Sequence, residues 1–228
     1  MKIQAEIFTI VFITIVSIGV FAYGGYCVKR LDIAEKPTGF ANVTIQFVSG
    51  LRSLITSVMG TKHGPNYEPY IMVLFFYLVF ANLAGLLGLN NPTANYSVTL
   101  TLSFISWFLF QRAKIKASGW KEFFKSFFQP IFLFLIPNIF GFFAPLFSMS
   151  FRLFGNVLSG KLIGTLLYSF TEWLSSLVPV IGQVNFLAPI ITPPIHVFFD
   201  VFSGLLQAFL FISLTMVFTA TEFPEEEQ

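Results

Sequence analysis

Long apolar runs broken by short polar segments set the plan of this chain. Residues 7–28 form one such run. A bilayer crossing needs about 20 residues, so the run is long enough to span. It follows Met1-Lys2, yet it exceeds a signal-peptide core and offers no convincing small-x-small cleavage site. It therefore reads as a retained first span. Residues 37–60 differ. Phe40, Val43, Phe47, Leu51, Leu54, Ile55 and Val58 recur at steps of three and four, with Gln46, Ser49, Arg52 and Ser53 between them. That spacing predicts an amphipathic helix lying on the membrane surface. A polar turn at Thr61–Asn66 leads to a second span at 69–88. An uncharged turn at Asn90–Asn95 leads to a third at 97–111. Two long stretches close the chain. Residues 130–170 far exceed one crossing, so they must tilt, bend or fold back. Pro137, Gly141 and Pro145 are places to bend. Residues 190–221, reached through Pro193-Pro194, form the last helix. The fold class is an all-α integral membrane protein in one unit, with about five transmembrane helices and one surface helix.

Charge sharpens this plan. Of 228 residues, 55% are hydrophobic and 11% are charged. Soluble domains carry about 25% charged residues. Arg112, Lys114, Lys116, Lys121 and Lys125 form the most basic loop, which places it on the cytoplasmic side. Two spans earlier, the Lys29–Lys62 segment with Arg30 and Lys36 falls on the same side, and the Asn90 turn falls outside. The N-terminus is then expected outside and the acidic tail, Glu222–Glu227, inside. The net charge of +2 and the lack of arginine stripes with interleaved aromatics argue against nucleic acid. One cysteine, Cys27, excludes an internal disulfide framework, and two histidines make a zinc or haem protein a poor fit. No Gly-rich phosphate loop with lysine is present, so nucleotide chemistry is not expected, and neither is a cofactor or metal. The 32 phenylalanines read as lipid-facing bulk, Cys27 as packing, and His63 as solvated in its turn. Glu68, Glu122 and Glu172 fall near span ends and read as interfacial.

Two polar positions carry the chemistry. Arg152 is the only charge between Lys125 and Lys161. A cation at membrane depth costs about 2.5–3.5 kcal/mol on insertion scales, and arginine cannot escape by losing its proton. It is paired with an anion, stands where one will come, or snorkels to the surface. Asn156 lies one turn on and Ser148 one turn before, on the same face. Gly155, Ser159 and Gly160 keep that side thin for a neighbouring helix. Lys161, nine positions on, is expected on the opposite face, apart from this site. In the last stretch Asp200 is the only formal charge between Glu172 and Glu222. His196, Asp200, Ser203 and Gln207 follow at spacings of four, three and four and line one helical face. Such a stripe is either a hydrogen-bonded packing seam or the wall of an aqueous half-channel. Beside a helix with a fixed cation, it reads as an ion path. Histidine is also the side chain whose charge changes most readily near neutral pH.

These residues resemble a known family. Ser148-Met-Ser-Phe-Arg-Leu-Phe-Gly-Asn156, followed by Ser159-Gly160, is similar to the signature S-L-S-x-R-L-F-G-N, then A-G, of subunit a of the F-type rotary ATP synthase. Gly204-Leu-Leu-Gln-Ala-Phe-Leu-Phe211, with Asp200 seven before the glutamine, resembles the family's last-helix motif. Asn82-Leu-Ala-Gly-Leu-Leu87 and Pro92-Thr-Ala-Asn95 resemble its second-span and turn motifs. The resemblance covers most of the chain from Pro37 onward, and its arginine motif looks bacterial.

It implies a stator in the bacterial plasma membrane, not an enzyme on its own, that forms two ion half-channels and couples proton translocation to rotation and ATP synthesis. Its partners would be the c-ring with its buried carboxylates, b-type peripheral stalk subunits, the F1 sector indirectly and the lipid bilayer. The last two helices would lie tilted against the ring. Arg152 matches the family's essential arginine, Asn156 and Gln207 match polar residues near it, and Asp200 matches a position usually held by Glu, Asp or His. His196 and Ser203 complete the expected proton path.

Three departures stand out. No acid follows Pro137-Asn138, Pro145 comes one residue earlier than usual, and Lys161 replaces a frequent Glu. That leaves His196 and Asp200 as the titratable groups for an inlet. The competing readings are a small secondary transporter whose Arg152 binds an anionic substrate, and a structural assembly protein. Internal repeats would favour the transporter, and none is seen.

Overall fold

The computed structural model describes residues 5–29, 39–129, 131–177, 185 and 187–223. Arg30, Lys36, the start of the 37–60 segment, Pro130 and the acidic tail beyond Phe223 lie outside them. Every element among the described residues is helical. Lipid demands this, because only a helix or a closed barrel satisfies each backbone group internally. The helices are α1 (Ala5–Lys29), α2 (Gly39–Leu83), α3 (Tyr96–Ser126), α4 (Leu135–Ser176), α5 (Ala188–His196) and α6 (Gly204–Ala220). Short 3₁₀ turns at Ala84–Leu87, Pro92–Ala94 and Phe132–Phe134 join some of them, and a π-helical stretch, Val197–Ser203, fuses α5 to α6.

α2 is a hairpin made by one residue. Gly60 sits at φ 75° and ψ 168°. A residue with a Cβ rarely adopts that conformation. The chain reverses there, and residues 39–59 run back along 61–83. Phe47 meets Phe75 and Phe76 at 5.8 and 5.0 Å, and Arg52 Nε donates to Glu68 Oε2 at 3.0 Å. The apolar face of 39–59 turns inward, so Leu51, Ile55 and Met59 join Ile71, Leu74 and Leu78. The expected turn at Thr61–Asn66 is replaced by helix, because Gly60 alone reverses the chain. His63 stacks on Phe223 with ring centroids 3.9 Å apart, so it is held rather than solvated in a turn.

The basic stretch 112–125 is helical too, not a loop. α3 continues through it and bends only at Gly119, where φ is 78°. The start of α3 is fixed by the Asn95 side chain, which accepts from the Ser97 amide at 3.0 Å. Past its end, Asn138 donates to the carbonyls of Ser126, Phe127 and Gln129 at 3.3, 3.0 and 2.9 Å. The Ser126 carbonyl is one that the end of α3 leaves without a helical partner, and the other two belong to the turn that follows.

Residues 131–177 hold one unbroken helix, α4, of 42 residues. At a rise of about 1.5 Å per residue it is about 63 Å long, twice the hydrocarbon thickness, so much of it must lie oblique to the bilayer. α6 occupies the centre. Ala208, Phe211, Ile212 and Met216 pack against both limbs of α2 and against Met149 and Leu153 of α4. α3 lies on α4, with Trp107 Nε1 donating to the Phe142 carbonyl at 2.9 Å and Tyr96 stacked on Phe151. α1 lies outermost, its Gly24 against Thr44 and its Phe21 against Phe76. By length and composition, four segments among the described residues suffice to cross a membrane: Ile7–Lys29, Gly39–Leu87, Phe132–Ser176 and Ala188–Ala220. α3 is not among them, since its apolar part ends at Gln111-Arg112.

Candidate functional site

α4 and the last helix run antiparallel, and their contacts fix the site. Asn156 faces Ser203, Gly160 faces Phe199, and Tyr168 faces His196. Gly160 marks the contact: a Cβ there would meet Phe199 at 3.5 Å, an ordinary van der Waals distance. Gly155, by contrast, faces open space.

The π-helical stretch falls where the polar stripe is densest, from Val197 through Asp200 to Ser203. Such stretches are rare and gather at functional sites. Two carboxamides from other helices grip its end. Asn156 Nδ2 donates to the Ser203 carbonyl at 3.4 Å and Asn82 Nδ2 to the Gly204 carbonyl at 2.9 Å. Ser203 Oγ returns a bond to Asn156 Oδ1 at 2.6 Å, and Thr93 Oγ1 donates to Asn82 Oδ1 at 3.1 Å. α2 and α4 thus clamp the last helix where its pitch changes, with polar groups that lipid would not satisfy.

A cavity of about 400 Å³ opens beside this clamp. Its walls include Asn156, His196 and Asp200, as the spacing suggests, and also Lys161, Tyr168 and Asn91. Lys161 does not stand apart from the site, contrary to its place on a helical wheel. It lines this cavity because the space lies between helices and runs along α4 past the side-chain-free Gly160 and Gly164, rather than following one helical face. Within it His196 Nδ1 lies 2.8 Å from Asp200 Oδ2, and Tyr168 Oη lies 3.1 Å from His196 Nε2. Asn91, only 8% exposed, has no hydrogen-bond partner for its Oδ1 among the described residues.

A second cavity, about 300 Å³, opens at the other end of the same helix pair. Gln111 and Lys114 of α3, Asn138 of α4 and Glu222 just past α6 line it, and Lys114 Nζ lies 3.6 Å from Glu222 Oε2. These four were not collected from the sequence. They come from three separate places in the chain, and nothing local links them. Tyr168 was readable in principle: Asn156, Gly160, Gly164 and Tyr168 follow at intervals of four on one face of α4.

Arg152 lies on α4 between the residues that line the two cavities and lines neither. Its neighbours Met149, Ser150 and Leu153 are buried, while Arg152 itself is exposed on the flank with Ser148 and Phe151. Among the described residues it makes no hydrogen bond or ion pair. The described part of the chain therefore does not neutralise it. Gln207 is buried inside the bundle at 4% exposure, away from both cavities, and its Nε2 has no partner among the described residues. The structure thus gathers Asn156, Ser203, His196 and Asp200 and leaves Arg152 and Gln207 to either side.

A polytopic helical membrane protein with two separate cavities bearing polar groups, and between them a fixed cation that has no anionic partner among the described residues, belongs to the class of ion-translocating membrane subunits. Relatedness to known proteins narrows this. The family profile described as ATP synthase A chain matches residues 7–220. ATP synthase subunit a of Mycoplasma pneumoniae is 32% identical over 224 residues, spanning 92% of this chain and 76% of the relative. That of Staphylococcus aureus is 29% identical over 230 residues, 96% of this chain and 90% of the relative. The ATP synthase subunit a, sodium ion specific, of Propionigenium modestum is 30% identical over 83% of this chain and 65% of the relative. The chain belongs to the ATP synthase A chain family. It is a multi-pass membrane subunit with the stator's ion-path role in the Fo sector, not an enzyme on its own.

Proposed function

We propose that ions cross this protein in two separated steps, one through each cavity, and that Arg152 keeps the two steps apart. The observation that carries this is the position of Arg152: exposed, without an anion among the described residues, and between two polar cavities at opposite ends of one helix pair. A cation so placed needs a carboxylate from outside the chain, and the c-ring supplies one at each step of rotation. Within about 4–6 Å a cation favours the ionised form of a carboxylate, so a ring site releases its ion beside Arg152. The same charge repels any cation taking the direct route between the cavities. The uncharged Asn90 turn is the outer side, so the first cavity opens outward. The basic end of α3 is the cytoplasmic side, so the second cavity opens inward. The N-terminus is then outside and the C-terminus cytoplasmic, next to the b-type stalk subunits and, through them, the F1 sector. Asn156 and Ser203 hold the last helix against α4, and Gln207 fills the core next to that clamp.

The test is Arg152→Ala in the assembled complex, with ATP-driven pumping followed by fluorescence quenching in inverted vesicles. Pumping is expected to vanish while the complex still assembles, because Arg152 has no hydrogen bond or ion pair among the described residues to lose. Arg152→Lys is also expected to fail, since lysine can shed its proton and lacks the planar fork. Retained pumping in either variant removes Arg152 from this role.

A further inference from the structure

We propose that the segment just past Gly119 is a binding surface for anionic phospholipid headgroups, with Trp120 and Phe124 set at the lipid boundary and Lys121 and Lys125 reaching the phosphates. It stands apart from the two-cavity reading, since none of these four residues lines either cavity. The stretch reads Trp120-Lys-Glu-Phe-Phe-Lys125. Its two outer rings are one helical turn apart and share a face, each with a lysine beside it. The packing turns that face outward. Gly119, at φ 78°, bends α3, and the short limb beyond it is held by its other side. Phe123 is buried against Phe127 and Phe142, with ring centroids 5.4 and 6.0 Å away. Asn138 of α4 bonds to the carbonyls at the limb's end. So held, Trp120 and Phe124 remain 64% and 57% exposed, stacked with centroids 6.2 Å apart. Phe128 and Phe132, exposed and stacked at 5.9 Å, continue the aromatic surface along the chain to the start of α4.

Two properties of this face pick its occupant. Stacked rings favour an apolar cover, while the indole N–H and the lysine heads need polar partners. The headgroup layer offers both at once, which is why tryptophan gathers there. The course of the chain agrees. The apolar part of α3 ends at Gln111-Arg112, a polar turn or two follows, and the bend at Gly119 leads into the apolar start of α4. Charge then selects the lipid. Lys116, Lys121 and Lys125 are exposed and have no hydrogen bond or ion pair among the described residues, whereas Lys114 is turned to Glu222. Glu122 is the one acid between Arg112 and Lys125, so the surface is net cationic. A zwitterionic headgroup balances its own phosphate, and an anionic one leaves it for the protein. Each lysine near an anionic surface strengthens binding by about fivefold.

The experiment reconstitutes the whole complex in phosphatidylcholine vesicles with increasing mole fractions of brominated phosphatidylglycerol or of brominated phosphatidylcholine. Bromine quenches indole fluorescence on contact, and the signal of Trp120 is the difference between wild type and Trp120→Phe. Both leaflets carry the same lipid, so the result does not depend on which way the protein faces. Half-quenching is expected at a mole fraction of phosphatidylglycerol about fivefold or more below that of brominated phosphatidylcholine. In Lys121→Gln/Lys125→Gln the two lipids are expected to agree within about twofold. Salt at about 1 M, which screens charges beyond about 3 Å, is expected to narrow the gap in the wild type. Equal quenching by both lipids in the wild type overturns the headgroup site and leaves a plain lipid contact. A Trp120 signal that neither lipid quenches overturns it as well, because another subunit then covers this face. A gap that persists unchanged in the double variant takes the selectivity away from the lysines and overturns the assignment.

Discussion

Gly204→Ala tests whether the clamp on the last helix is as tight as the geometry says. A Cβ on Gly204 would lie 3.0 Å from Asn82 Cβ, closer than almost any real pair of side-chain carbons. Asn82 cannot step aside freely. It is 3% exposed, donates to the Gly204 carbonyl at 2.9 Å and accepts from Thr93 at 3.1 Å. Either Asn82 shifts and weakens those bonds, each worth about 0.6 and at most about 1.7 kcal/mol between membrane helices, or α6 backs away from α2. Overpacking of this kind costs about 1–3 kcal/mol. Against it stands the gain in helix propensity from glycine to alanine, about 0.8–1.0 kcal/mol. The net expectation is a loss of up to about 2 kcal/mol, and with it the register of Ser203 on Asn156. The assay is a detergent unfolding titration of the subunit in its complex, alongside ATP-driven pumping. The second variant is Asn82→Ala, in which the space is free. There Gly204→Ala is expected to be neutral or stabilising, because only the propensity gain remains. If Gly204→Ala raises stability in the wild-type background as much as in Asn82→Ala, the two helices are not in close contact at this point and no clamp holds them.

Two further outcomes follow from the cavities. In Asp200→Asn an oxygen that can accept from His196 at 2.8 Å is kept, but the charge is removed. The bond weakens by about 1 kcal/mol, so the complex should assemble normally while translocation slows severalfold. An unchanged rate would reduce the His196–Asp200 stripe to packing. Glu222→Gln breaks the Lys114 pair at 3.6 Å, whose side chains are 31% and 24% exposed. The stability change should stay below about 1 kcal/mol, as for other solvent-accessible pairs. Pumping should still fall, because the only acid on that cavity's wall among the described residues is gone. Full-rate pumping with normal complex yield would take the second cavity off the ion path.

The stripe on α4 was legible because α-helical periodicity holds there: Arg152 and Asn156 are one turn apart in the sequence and in an unbroken helix. The stripe on the last helix was only partly legible. Spacings of four, three and four suggest one face, but the π-helical stretch widens the turn between His196 and Gly204. His196 and Asp200 stay on the cavity, Ser203 turns to Asn156, and Gln207 goes into the core. Helix breakers misled in both directions. Gly60 reverses its helix with positive φ at the expected end of the 37–60 segment, but Gly119 bends α3 in the same way with nothing beside it in the sequence to mark it out. Pro145 sits inside α4 without breaking it.

Some of this protein needed no neighbours to be read. Apolar run lengths, the scarcity of charge and one arginine that cannot lose its proton are local properties, and lipid converts them directly into helices and a demand for an anion. The cavities were different. They are gaps between helices, and their walls draw on residues from α2 to the end of α6. Which side chains share a gap depends on how closely two rods approach and at what register. That is set by contacts such as Gly160 on Phe199 and Asn82 on Gly204, not by spacing along either helix. Lys161 shows the consequence. Its position on a helical wheel puts it half a turn from Arg152, and only the packing of the last helix against α4 brings it into the same cavity as Asp200.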